Sequence, residues 1–231
     1  MYTLPPVVRQ IGVTTKVAKE RAASSPSPIG QSIRRSIAKQ LSRDRVLHAA
    51  AEVFAEQEPA TVSVEDILRR AAVSRATFYK MFKSKEDVLA ALYEVVSRIM
   101  LENSRQALET APTAAAAIDQ SIDMFLGLAE SDGMLMRVLE NESMRHGSPA
   151  AAMREANLSL LCELICARVK KDFGREIDPL VARGVLHALE GISLFVRKPK
   201  RTEQNDMRLR AQQAARRISH AAFGLALPEA P

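Results

Sequence analysis

The sequence predicts an all-α protein in which a small three-helix domain precedes a larger helical domain. The chain has 231 residues, of which 47% are hydrophobic, 4% are aromatic and none is Trp. Apolar residues recur at helical spacing along most of the chain, and no stretch alternates Val, Ile and Thr as a half-buried strand does. Good helix formers are abundant and glycine is scarce, which favours helices over sheets.

The chain is predicted to divide into residues 1–40, 41–101 and 102–231. The first segment carries Pro5, Pro6, Pro26 and Pro28, and is interpreted as a largely disordered extension. Residues 1–43 hold eight Lys or Arg and one acidic residue, a net charge of +7, while the whole chain carries +6. A basic arm of this kind indicates a polyanionic partner, with nucleic acid first, although a solubilising tail has the same composition.

The small domain starts with an amphipathic helix over 43–57, ended by Pro59. The spacing of Ile33, Ile37 and Leu41 predicts that helical structure begins earlier, near Gln31. Buried apolar positions in the main helix are spaced three and four residues apart. They are residues 46, 47, 50, 51, 54 and 55.

Two short helices follow, joined by a tight turn, and the pair is predicted to span residues 63–82. Ser63 and Asp66 have capping-box spacing, which places a helix start at Ser63. Ser74 caps the next helix, and Ser84 with Asp87 repeats the arrangement before a long helix over 85–110. This is the plan of a helix-turn-helix, in which the second helix enters the major groove of DNA.

The residue types of the second short helix suit contacts with DNA. If Phe78 and Phe82 face the core, polar residues face outward. Arg pairs with guanine, Thr reads bases by its hydroxyl or methyl group, and Tyr, Lys and Ser suit phosphates. The predicted DNA-binding residues are Ser63, Ser74, Arg75, Ala76, Thr77, Tyr79, Lys80 and Lys85.

The segments RVLHAAAEVFAEQ and ATVSVEDILRRAAVSRATFYKMFKSKEDVLAALYEVV, over roughly 43–97, resemble the DNA-binding domain of the TetR family of bacterial transcriptional regulators. The resemblance implies an all-α homodimer that binds DNA through its first three helices. It also implies a divergent C-terminal domain with an effector pocket, whose last two helices form the dimer interface. Most members are repressors released by a small ligand.

Two features depart from that family pattern. The turn has Ala72 where the family usually has Gly, so a positive φ there would cost on the order of 1 kcal/mol. The basic arm is long, and its residues nearest the first helix could reach phosphates or the minor groove, against the alternative of a non-specific tail. These possible arm contacts are Arg34, Arg35, Lys39 and Arg43.

Helical periods in the larger domain are predicted at about 113–131, 134–145, 149–173, 178–197 and 203–225. One Met-rich stretch suits an adaptable apolar effector pocket, although a helical core has the same composition. The candidate pocket residues are Met124, Phe125, Leu128, Met136 and Leu139. The last two helices are the predicted dimer interface, with Val181, Val185, Leu189, Ile192 and Val196 marking one stripe.

Other classes of protein find less support in the sequence. Cys162 and Cys166 lack further ligands at metal spacing and are interpreted as packing residues in a reducing cytoplasm. We expect no metal, cofactor, secretory signal or membrane span. No phosphate loop or nucleophile–base set indicates an enzyme. The predicted function is a cytoplasmic repressor that binds a palindromic double-stranded DNA operator and an unknown effector. The alternatives are a ligand-independent regulator or activator, and an interaction module that has lost DNA binding.

Overall fold

A computed structural model describes residues 28–57, 60–131, 133–196 and 204–226, with the backbone alone at 28–37, 131, 204 and 205. The described residues form nine helices and no strand, which confirms the predicted all-α class. The helices are α1 (Pro28–Glu56), α2 (Val64–Ala71), α3 (Arg75–Tyr79), α4 (Lys85–Thr110), α5 (Ala114–Ser131), α6 (Gly133–Met144), α7 (Pro149–Phe173), α8 (Pro179–Val196) and α9 (Gln204–Phe223).

The described chain forms two compact units, one ending at Leu92 and the other starting at Tyr93. This division falls within α4, as does the boundary at residue 101 that the sequence suggested. Residues 28–40, assigned from sequence to a largely disordered extension, are helical and continuous with α1, while residues 1–27 lie outside the described part. The spacing of apolar residues before residue 43 is therefore part of α1.

The first unit has a core in which α1 packs against α2 and α3. Phe54 of α1, Ile67 of α2 and Phe78 of α3 are fully buried, so the apolar faces read from the sequence meet at one centre. Arg70 of α2 reinforces the contact, donating at 3.2 Å to Glu52 and at 2.9 Å to Glu56 of α1. Hydrogen bonding to Arg70 lowers the pKa of Glu56 below its ordinary value.

In the second unit, a buried guanidinium joins α7 to the turn between α4 and α5. Arg168 donates to the carbonyl oxygens of Leu108 and Ala111, the latter at 2.7 Å, and to the carboxylate of Asp172 at 3.0 Å. Asp172 in turn accepts from the Ala114 amide, the first residue of α5, at 2.6 Å. This clamp satisfies carbonyls at the end of α4 that would otherwise lack partners.

The apolar face that α8 exposes is not the one on which the predicted stripe is centred. Of the stripe predicted at a dimer interface, Val185 and Val196 are buried in this chain's own core, whereas Val181 is exposed. The exposed side of α8 is a second apolar face, which includes Leu194 and Phe195. Because both faces are apolar, α8 is long and apolar enough to cross a membrane by length and composition, which was not anticipated from the sequence. A helix with two apolar faces passes that test without entering a membrane.

Candidate nucleic-acid interface and ligand cavity

The turn between α2 and α3 adopts the strained conformation that its sequence suggested. Ala72 has φ 51° and ψ 46°, in the left-handed region. Arg45 of α1 holds this turn, donating from Nε and Nη2 to the Ala71 carbonyl at 3.1 and 2.7 Å and from Nη2 to the Ala72 carbonyl. Sequence reasoning missed Arg45, because nothing local connects it to a turn 26 residues later.

Replacing Ala72 by Gly is expected to stabilise the protein by about 1 kcal/mol, since Gly has no Cβ to strain a positive φ. Thermal or urea unfolding measures the change. Ala71→Gly is the matched control, because Ala71 is a buried helical residue and should lose about 1 kcal/mol or more. An Ala72→Gly protein no more stable than wild type would show that the turn is unstrained.

Helix α3 presents one face to the core and the other to solvent. Phe78 and Phe82 are buried, and Tyr79 stands edge-on against Phe78 with 51% of its surface exposed. Four more of the predicted DNA-binding residues lie on the outer side of α3 or at its C-terminal end. Thr77 is half-buried, and the other three are exposed. They are Arg75, Ala76 and Lys80.

The three other predicted contact residues also make structural bonds. Ser74 caps α3, with its hydroxyl 3.1 Å from the Thr77 amide. Ser63 forms a full capping box with Asp66, whose pKa is lowered to about 2, first by the Ser63 hydroxyl. Lys85 Nζ donates to the Val62 carbonyl at 2.9 Å. The structure thus brings these residues to the ends of α2, α3 and α4.

Arg75 forms an ion pair with Glu65 of α2, and both side chains are more than half exposed. Glu65 was not singled out in the sequence, although it lies in the first turn of α2 and reaches α3. If α3 binds DNA, a carboxylate here would compete for the guanidinium and repel phosphates. The pair is exposed, so breaking it costs the fold little.

Glu65→Gln is therefore expected to raise DNA affinity about two- to fivefold at low salt, with a smaller gain at high salt. Fluorescence anisotropy with a labelled duplex measures the effect. Glu163→Gln removes the same charge from an exposed position in the second unit and serves as the control. Equal affinities of the two variants would contradict a role for Glu65 in restraining Arg75.

The predicted arm residues lie on the helical backbone of α1. Lys39 is exposed, whereas the Arg43 guanidinium lies over the Phe82 ring, 5.0 Å from its centroid. The side chains of Arg34 and Arg35 lie outside the described part. Arg43 thus has a packing role in the first unit, which its charge alone did not indicate.

The second unit contains a cavity of about 210 Å³, somewhat below the roughly 300–1,000 Å³ of many small-molecule sites. Of the candidate pocket residues, Met124, Phe125, Met136 and Leu139 line it, and Leu128 does not. The lining residues on α5 end at Phe125, so Leu128 lies beyond them. Most of the wall is apolar, with further residues from α4, α7, α8 and α9.

Polar residues that the sequence did not suggest form one end of this cavity. Arg154 of α7 holds Glu190 of α8 through two bonds, at 2.5 and 3.2 Å, and Glu190 also lies 2.9 Å from His187 Nδ1. Tyr93 lies in the same wall, where burial raises the pKa of its hydroxyl although a hydrogen bond with Ser143 lowers it. These residues come from four helices, so only the fold brings them together.

The two cysteines lie in the core of the second unit. Cys162 is buried and Cys166 half-buried, and both are free thiols. Burial raises the pKa of each thiol. A raised pKa disfavours the reactive thiolate, in keeping with packing residues. Within the described ranges, no group of three or more His, Cys, Asp or Glu side chains is placed to hold a metal ion.

A capped helix-turn-helix with an exposed polar second helix, followed by a helical unit with an apolar cavity, is the arrangement typical of helix-turn-helix regulatory proteins. Residues 46–92 match the model of the bacterial regulatory proteins of the tetR family. This part of the chain is therefore similar to that family of transcriptional regulators.

Two known regulators are similar to the chain in sequence, and one is similar in structure. An uncharacterized HTH-type transcriptional regulator of Mycobacterium tuberculosis is 38% identical over 52 residues, 22% of this chain and 26% of that protein. The transcriptional activator FasR of Mycolicibacterium smegmatis is 25% identical over 58% of this chain and 61% of its own length. The chain thus spans about a quarter of the first relative and under two thirds of the second. The structure of the fatty acid degradation regulator FadR from Bacillus halodurans shares the fold, with TM-score 0.63, 20% identity, and coverage of 84% of this chain and 97% of that one.

Proposed function

We propose that this protein is a transcriptional repressor that binds an inverted-repeat operator as a homodimer and leaves it when a small molecule occupies the cavity. The exposed face of α3 carries the proposal, because it displays Arg75, Tyr79 and Lys80 on a helix fixed by caps and by Arg45. A rigid scaffold is what sequence-specific contacts need.

Each residue of this face has a role in the proposed complex. Arg75 reads guanine once it leaves Glu65, while Ala76 and Thr77 meet bases through methyl or hydroxyl groups. Tyr79 and Lys80 bind phosphates, which position the protein without reading sequence. Ser63, Ser74 and Lys85 assist from helix N-termini, where backbone amides also attract phosphate.

The exposed side of α8 supports a homodimer. It shows Leu180, Leu194 and Phe195 to solvent, with Gly184 and Gly191 between them. Nothing lies within 4 Å of the position that a Cβ would take at either glycine. Two glycines seven residues apart lie on one helix face and let a second helix approach closely. In α9 the exposed Ile218 and Leu209 extend the apolar surface.

The cavity is the proposed effector site. Helix α4 lines it from Tyr93 to Leu108, and the same helix begins in the first unit. An effector releases DNA only if it binds the DNA-free state more tightly than the DNA-bound state. The similarity to FadR, described as a regulator of fatty acid degradation, supports a largely apolar effector.

Activation is a second candidate, since the relative FasR is described as a transcriptional activator. The DNA face and dimer surface serve either sign of regulation. A cytoplasmic location follows from the proposal, because the operator is chromosomal. In vitro transcription from the operator separates the two candidates, as added protein lowers transcript from a repressed promoter and raises it from an activated one.

The experiment that tests this function is selection of genomic fragments by the purified protein, followed by footprinting. We expect one short inverted repeat whose half-sites are separated by one helical turn or a multiple of it. A footprint without twofold symmetry would contradict the dimer. Recovery of no preferred sequence at low and moderate salt would contradict site-specific recognition.

A further inference from the structure

The cavity wall contains a hydroxyl that has no partner. Ser219 of α9 is fully buried and lines the cavity, and its Oγ makes no hydrogen bond among the described residues. An unmade hydrogen bond in the interior costs free energy, so buried hydroxyls nearly always find partners. Ser121, in the same wall, shows the contrast, because its hydroxyl donates to the Ala117 carbonyl at 2.9 Å.

Ser219 lies at the opposite end of the cavity from Tyr93. Helix α9 runs antiparallel to α5, since Arg208 meets Glu130 while His220 meets Asp119. Ser219 is therefore level with the start of α5, which follows the C-terminal end of α4. The α4 wall from Tyr93 to Leu108 spans about 22 Å at a rise of about 1.5 Å per residue. The wall along α4 is thus long, with Tyr93 towards one end and Ser219 towards the other.

The charged groups of the wall are already engaged. Arg154 is the single cation among the described lining residues, and Glu190 occupies it with two bonds. Glu140 also has an interaction of its own. A ligand carboxylate would have to displace Glu190, leaving a half-buried carboxylate with His187 as its remaining partner, which is costly. A ligand ammonium would meet carboxylates that already have partners.

We propose that the cavity binds an elongated, uncharged molecule with a hydrogen-bonding group at each end, one of which pairs with Ser219. The group at the other end of the ligand meets the hydroxyls of Tyr93 and Ser143. This inference rests on the proposed function, since it names the chemical class of the effector. It also separates the ligand from free fatty acids, which carry a charged head.

Calorimetric titration with four probes of equal chain length tests the inference on the full-length protein without DNA. The probes are an α,ω-alkanediol, a primary alcohol, an alkyl carboxylate and an alkylamine, each at about six to twelve carbons to suit the cavity. We expect the diol to bind most tightly and the two charged probes most weakly. Tightest binding by the carboxylate or the amine would overturn the inference, as would a diol no better than the alcohol.

Ser219→Ala should weaken diol binding roughly fivefold and leave alcohol binding within about twofold, because the alcohol can use the other end. The melting temperature of Ser219→Ala should equal or exceed that of wild type, since no bond is lost in the free protein. Ser121→Ala, whose hydroxyl is already bonded, should leave the preference for the diol intact. Equal losses in the two variants would overturn the assignment to Ser219.

Operator release, measured separately, keeps the two proposals distinguishable. Probes that bind in the expected order without weakening the DNA complex would support the ligand class and contradict effector control. If no probe binds at any chain length while the operator complex stays intact, the ligand class is wrong and DNA recognition stands.

Discussion

Gly191→Gln is expected to separate the dimer and thereby remove tight operator binding. Gly191 is exposed on α8, and the space where its Cβ would lie is open within one chain. In a twofold dimer the added side chain enters the interface twice, with about 1–3 kcal/mol of overpacking each time. The dimer dissociation constant should therefore rise at least roughly 30-fold.

Analytical ultracentrifugation across a concentration series measures this effect, with operator titration alongside. The monomer should fold at least as well as wild type, because Gln is a better helix former than Gly. Ala167→Gln adds the same bulk to an exposed position on α7 and is the control. A Gly191→Gln protein that remains dimeric at wild-type concentrations would place the interface on another surface.

Arg168→Leu is expected to lower the free energy of unfolding by about 3–5 kcal/mol. The change removes every donor that serves the Leu108 and Ala111 carbonyls and leaves the Asp172 carboxylate without its guanidinium. Burial works to raise the pKa of Asp172, yet the Ala114 amide and Arg168 hold it below its ordinary value. Losing Arg168 should therefore also raise the pKa of Asp172.

Urea unfolding compares this variant with Arg105→Leu. Arg105 is an exposed arginine bound to Glu102 and Glu109 on α4, and removing it should lower stability far less than removing Arg168. Arg168→Lys should fail to restore stability, since an ammonium cannot reproduce the planar fork of donors. If Arg168→Leu and Arg105→Leu are equally stable, the clamp does not hold α7 to the α4–α5 turn.

The helix-turn-helix was predictable because its signals are local. Ser63 with Asp66 caps α2 and Ser74 caps α3, whereas the αL conformation at Ala72 was suggested by the resemblance to a family that usually has Gly there. At the start of α4 the Ser84 hydroxyl accepts from the Asp87 amide at 3.3 Å, while Asp87 accepts from the Lys83 amide at 2.8 Å. Caps and turns depend on a few neighbouring residues, so one sequence is enough to find them.

Features built from distant residues were not predictable. Arg45 at the turn, Arg168 at the clamp and the Arg154–Glu190 pair join helices far apart in sequence. The exposed apolar face of α8 was not predicted, because periodicity cannot rank two apolar faces of one helix. The Met-rich pocket wall was proposed from composition, but its polar end depends on how α4, α6, α7 and α8 pack.

DNA recognition by α3 is tested most directly by titrating wild type and Tyr79→Ala with the selected operator and with a scrambled duplex. Tyr79 is half exposed and its ring touches Phe78 only at an edge, so truncation should leave the melting temperature nearly unchanged. Tyr79→Phe, which removes the hydroxyl alone, is the matched control. We expect Tyr79→Ala to fold and to bind the operator roughly tenfold or more weakly than wild type. The operator affinity of Tyr79→Phe should lie between those of wild type and Tyr79→Ala. Unchanged operator affinity in a folded Tyr79→Ala protein would contradict the claim that α3 is the DNA-recognition surface.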